Sequence, residues 1–104
     1  MLSEQEFRIR ADEALEQLQR SLMPLAEEEN FEIELQDGVL EVMFDEPAPA
    51  KFVVSPNAPM RQIWVSAIAR GYKLSWSERA STFEIDGEPL DALLQRLTRQ
   101  YLTN

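Results

Sequence analysis

The residues best able to do chemistry in this chain are carboxylates and one tryptophan. Asp12, Glu13 and Glu16 stand close together near the N-terminus, and Glu28, Glu32 and Glu34 follow 12 to 18 residues after Glu16. Carboxylate oxygens are hard donors that suit Mg²⁺, Ca²⁺, Mn²⁺ and iron ions. Asp12 and Glu16, four residues apart, could also form an acid/base pair, but on a wet convex surface neither carboxyl would be shifted far. The second feature is Gln62-Ile63-Trp64-Val65-Ser66. If Ile63 and Val65 face a core, Trp64 faces water between Gln62 and Ser66, and an exposed indole is a frequent centre of protein contacts. An ordinary acidic surface, or a loop covering Trp64, is the plainer alternative in each case.

What is missing limits the chemistry further. The chain has no His and no Cys, which excludes His-dependent triads, thiolate nucleophiles, zinc fingers, iron–sulfur ligation and disulfides. It contains no Gly-rich phosphate loop, and a conventional enzyme is not expected. Residues 21–50 hold nine acids and no Lys or Arg, while the remaining ten acids are balanced by all ten bases, so the whole net charge of −9 lies in one segment. Phosphate backbones and anionic lipid would be repelled there, so neither nucleic acid nor membrane is an expected partner. Cations and basic protein surfaces are favoured. The apolar runs are too short to span a bilayer, and Met1 to Glu6 lacks the apolar core of a signal peptide. A cytoplasmic protein, monomeric unless a metal drives assembly, is the expectation.

The elements that must position these groups can be read from spacing. Ser3 and Glu6 form a capping box, with Leu2 and Phe7 at the staple positions around it. Phe7, Ala11, Ala14, Leu15, Leu18 and Leu22 then make one helical stripe, with Asp12, Glu13 and Glu16 opposite. Pro24 is expected to disturb or end this helix, and the spacing leaves open whether residues 25–28 resume it. Two alternating runs flank Asp37-Gly38, a favoured two-residue hairpin turn. That turn sets Leu35 opposite Leu40, Ile33 opposite Val42, and Glu34 opposite Glu41, a like-charge pair costing about 0.2–1 kcal/mol.

Further strands are expected at 51–55, 61–67, 71–76 and 81–85, with loops at 46–49 and 55–59. Asp86-Gly87 is expected to turn into a C-terminal helix with Pro89 at its first position and the stripe Leu90, Leu93, Leu94, Leu97 and Tyr101. The expected fold is α+β, a single domain over 1–104: a two-layer sandwich with both helices on one face of an antiparallel sheet of about six strands. The other face, with Glu32, Glu34, Glu41, Gln62, Trp64 and Ser66, is left to water.

With these residues in place, the chain resembles the frataxin family, in particular its bacterial CyaY type. The resemblance covers nearly the whole chain. It runs from Glu6-Phe7 and Ala11-Asp12 through Glu32, Glu34 and Asp37-Gly38-Val39-Leu40 to Gly71-Tyr72, Asp86-Gly87 and the last helix. Its centre is Asn57-Ala58-Pro59-Met60-Arg61-Gln62-Ile63-Trp64-Val65-Ser66, which matches a Pro-x-x-Gln-Ile-Trp-Leu-Ser pattern with Val65 in place of Leu. The resemblance implies a helix–sheet–helix sandwich and a role in iron–sulfur cluster assembly. It implies binding of Fe²⁺ and Fe³⁺ along an acidic ridge, here Asp12, Glu13, Glu16, Glu28, Glu32 and Glu34. It implies contacts with the cysteine desulfurase and the scaffold protein, with Asn57, Arg61, Gln62, Trp64 and Ser66 on the partner side. Gln19, Arg20, Met23 and Pro24 depart from the acidic pattern and interrupt the ridge, which lowers the expected iron capacity. An acidic interaction module with incidental cation binding, and a weak ferroxidase acting at carboxylates, are the competing readings.

Overall fold

In the computed structural model, which describes residues 2–103, helix α1 spans Glu4–Glu29. The Ser3 hydroxyl accepts from the Glu6 N–H at 3.1 Å, and the Ser3 N–H donates to the Glu6 carboxylate at 2.9 Å, so the expected capping box forms. Leu2 and Phe7 are both buried beside it. Pro24 does not end the helix, which settles what the spacing left open: residues 25–28 continue it. Pro24 sits on the exposed side, one turn after the equally exposed Arg20, while Leu22, Leu25 and Ala26 on either side of it are buried. A missing backbone bond on the wet side is offset by core contacts that hold both halves of the helix in line. The helix ends at Asn30, whose left-handed φ of 61° closes the turn.

Strands β1 (Glu32–Gln36), β2 (Val39–Phe44), β3 (Ala50–Asn57), β4 (Gln62–Ala67), β5 (Arg70–Ser77), β6 (Thr82–Ile85) and β7 (Glu88–Pro89) form one antiparallel sheet in sequential order. The β1–β2 register is the expected one, including Glu34 opposite Glu41. Asp37 and Gly38 both have positive φ, 54° and 75°, the conformation that makes this turn a register lock. The sheet has seven strands rather than about six. Asp86-Gly87 repeats the same positive-φ turn, and Ile85 pairs with Glu88 before helix α2 (Leu90–Leu102) begins. Pro89 therefore caps α2 from outside instead of occupying its first turn. The expected loop at 55–59 is also shortened, because β3 runs to Asn57 and carries Pro56 opposite Ile63. Pro56 lies past the last β2 pair, Leu40 with Val54, so no strand on that side needs its absent N–H.

Both helices lie on one face. Phe7, Leu15, Leu18 and Leu22 from α1 and Leu90, Leu93 and Leu94 from α2 meet Leu40, Val42, Phe52, Ile63, Leu74 and Phe83 from the sheet in one core. Gln95 Nε2 donates to the Ser21 carbonyl at 3.0 Å and ties the helices together. The α+β two-layer architecture is thus the expected one. No helix among the described residues is long and apolar enough to cross a membrane.

Candidate functional site

The uncovered face of the sheet is built by strand alternation. Ile63 and Val65 are buried, so Gln62, Trp64 and Ser66 project from the other side of β4. Register then places Ser55 and Lys73 on either side of Trp64, and Val53 and Gly71 on either side of Ser66. Trp64 is half-buried rather than fully exposed. Its Nε1–H donates to Gln62 Oε1 at 3.0 Å, Gln62 Nε2 donates to Ser75 Oγ at 3.3 Å, and Lys73 Nζ stands 4.9 Å from the ring centroid. The indole is therefore held at its polar atom and at its π face, a cation–π contact of about 0.5–1 kcal/mol at an exposed site. Beside it lies a hollow of about 300 Å³ lined by Val53, Ser55, Trp64, Ser66, Gly71 and Lys73. A Cβ on Gly71 would meet only the Val65 carbonyl, at 3.8 Å, so nothing in the backbone packing demands glycine; its bare surface leaves the hollow open.

Asn57 and Arg61 lie at the β3–β4 turn. Asn57 Oδ1 accepts from the Met60 N–H at 3.0 Å, and the Arg61 N–H donates to the Ala58 carbonyl at 3.1 Å. The Arg61 guanidinium also donates to the Ala58 carbonyl, and its side chain lines a groove with Leu2, Met60 and Trp76. Arg61 thus serves the turn and sits away from the hollow beside Trp64.

The acidic residues fall into two sets. Asp12 and Glu16 border Leu35 and Gly38 at the tip of the β1–β2 hairpin. Glu32 and Glu34 project from β1 on the uncovered face and share a groove with Met23 and Glu27. Glu13 is turned up the helix and bonds to Arg10 at 3.1 Å. Glu28 follows Glu27 by about 100° of helix rotation and is absent from the groove beside β1. The edge therefore carries two separate sets, Asp12 with Glu16 and Glu32 with Glu34 and the added Glu27, and leaves Glu13 and Glu28 aside. The like-charged Glu34–Glu41 pair is relieved on one side by Lys51, whose Nζ lies 3.3 Å from Glu41.

No group of three acidic side chains close enough to hold a metal ion occurs among the described residues. The carboxylates suit iron in donor chemistry but not in convergence, so an ion there would keep most of its water and bind weakly. Glu27 and Lys73 are the additions that sequence reasoning missed. Glu27 would have followed from continuing the helical phase of Asp12, Glu16 and Met23 past Pro24. Lys73 needed the β4–β5 register, set by a two-residue turn at Ile68-Ala69 that has neither Gly nor Asn to announce it.

The model of the frataxin-like domain matches residues 1–104 of the chain. The iron-sulfur cluster assembly protein CyaY of Pseudomonas aeruginosa is 31% identical over 93 residues, 86% of this chain and 84% of that protein. The protein of the same name from a Janthinobacterium species is 30% identical over 98 residues, 92% of this chain and 87% of its own. The mitochondrial frataxin of Caenorhabditis elegans is 31% identical over 110 residues, covering 100% of this chain and 80% of that protein.

Proposed function

The chain belongs to the frataxin family, and from that premise we propose that it serves iron–sulfur cluster assembly in the cytoplasm as a binding protein, docking on the cysteine desulfurase and the scaffold and modulating their output. Residues 1–104 act as one domain. The observation that carries this reading is the tryptophan on the water side of the sheet, held by Gln62 and Lys73 beside an open hollow. An indole immobilised before binding loses little rotamer freedom on docking, which favours contact energy over ordering cost. Gln62 and Ser66 supply polar contacts at the rim, and Asn57 and Arg61 shape the adjoining turn. The acidic edge supplies a second contact for a basic patch, and its excess charge steers association.

Iron in this reading is cargo. Asp12, Glu16, Glu32 and Glu34, with Glu27, would hold Fe²⁺ or Fe³⁺ through one or two carboxylates at a time, and Glu13 and Glu28 would extend the ridge only loosely. Because no tight cluster supports a fixed coordination number, the second reading is an interaction module whose cation binding is incidental. Anaerobic Fe²⁺ titration separates the two: selective NMR broadening at Asp12, Glu16, Glu32 and Glu34 supports the cargo reading, and no change at millimolar metal supports the second. Catalysed oxygen uptake lost on neutralising the same acids would support the ferroxidase reading.

The main test is Trp64→Ala, measured by calorimetric titration against the desulfurase and scaffold together. Affinity should fall at least about tenfold, as for an interface anchor. Unchanged affinity in a folded variant overturns the proposal.

A further inference from the structure

We propose that the free edge of β1 binds a partner by strand addition, accepting an extended segment in which basic and apolar residues alternate. This rests on the reading of the acidic edge as a partner contact and specifies its geometry. In a two-residue hairpin the pair flanking the turn, Gln36 with Val39, exchanges hydrogen bonds, and the pattern then alternates. Glu34 and Glu32 therefore bond toward β2, whereas the N–H and C=O of Ile33 and Leu35 point off the sheet. No described hydrogen bond takes these four groups up. At the opposite edge, β7 is two residues long and includes Pro89, so β1 is the edge with a usable backbone.

The surroundings select the side chains of the occupant. An added residue paired with Ile33 would project toward the helix layer, where a groove of about 390 Å³ includes Met23, Ala26, Phe31 and Ile33. Met23 is 40% exposed there, an apolar side chain without a cover. A residue paired with Leu35 would meet a smaller hollow, about 140 Å³, beside Leu15 and Leu35. Residues next to Glu32 and Glu34 would project on the uncovered face and meet their carboxylates, while Glu27, Asp12 and Glu16 add negative charge around the two helix-side hollows. The matching segment is thus basic–apolar–basic–apolar–basic. A second copy of β1 is excluded, because its own Glu32 and Glu34 would face the same charges.

The test uses the intact chain labelled with ¹⁵N and the peptide acetyl-Lys-Val-Lys-Val-Lys-amide at low ionic strength. At saturation, amide exchange at Ile33 and Leu35 should slow at least fivefold. The same peptide with both valine nitrogens methylated, and the block peptide acetyl-Lys-Lys-Lys-Val-Val-amide of equal charge, should bind at least tenfold and fivefold more weakly. Glu32→Gln with Glu34→Gln should weaken the alternating peptide and flatten its salt dependence. Equal binding by the methylated peptide, binding without slowed exchange at the two amides, or no binding at several millimolar overturns the proposal. With the intact desulfurase, binding that leaves those amides unprotected rejects strand addition while the contact stands, and absence of desulfurase binding rejects the contact itself.

Discussion

The centre of the uncovered sheet face and its β1 edge differ in how their side chains are held. At the centre, Trp64 is fixed by Gln62, supplied by alternation along β4, and by Lys73, supplied by the β4–β5 register. At the edge, Glu32 and Glu34 have no such frame, and only Glu41 beside them reaches a cation, Lys51. A fixed apolar group favours one partner geometry through its side chain, whereas exposed like charges attract cations and basic surfaces without themselves fixing a geometry. The centre is therefore suited to specificity and the edge to attraction.

That contrast can be broken most strongly on β4 itself, where neighbouring residues face opposite layers. Ile63→Ala should cost about 2–5 kcal/mol of stability by urea unfolding, because Ile63 is fully buried. Trp64→Ala should cost about 1 kcal/mol, mainly its cation–π contact and partial burial, while carrying the loss of partner affinity. Comparable destabilisation by the two variants would merge the uncovered face with the core. A smaller effect is expected at the β4–β5 turn, where Ile68, 61% exposed, has a φ of 61° that a β-branched residue tolerates poorly. Ile68→Gly should raise the unfolding midpoint, by about 0.5–1 kcal/mol, with the Trp64 hollow unchanged.

At the edge, Glu34→Gln should stabilise the hairpin by about 0.2–1 kcal/mol in thermal unfolding and reduce cation binding, since it removes one of two facing charges. The smallest effect is electrostatic and lies away from both regions. Arg96 donates to the Glu88 carboxylate from Nε and Nη2, both at 2.9 Å, and holds that carboxyl below the ordinary Glu range. A depressed carboxyl stabilises the fold above its ordinary pKa and loses that contribution as pH falls through the folded value. Glu88→Gln should therefore make urea midpoints fall slightly less on acidification than in the parent chain.

Much of this arrangement could be read from residue order because local and tertiary demands agree. Asp37-Gly38 fixes both the turn and the register, so the Glu34–Glu41 pairing followed at once. The same chemistry at Asp86-Gly87 was harder to read, since β7 is too short to display alternation and contains Pro89. Pro24 left the end of the helix open because its cost is local while the contacts that outweigh it, Leu22 and Leu25 in the core, are tertiary. That carried into the site: with the continuation past Pro24 open, the helical phase did not place Glu27 beside β1 or turn Glu28 away. Trp64 was placed correctly by alternation, but Lys73 above its ring needed a register that the Ile68-Ala69 turn conceals.

The most direct measurement is an NMR footprint of the iron-free labelled chain mixed with desulfurase and scaffold. The account predicts that the Trp64 indole N–H and the amides of β3 to β5 shift, that the β1 edge shifts with them, and that the outer side of α2 stays silent. A footprint centred on α2, with the Trp64 indole signal unmoved, would contradict it.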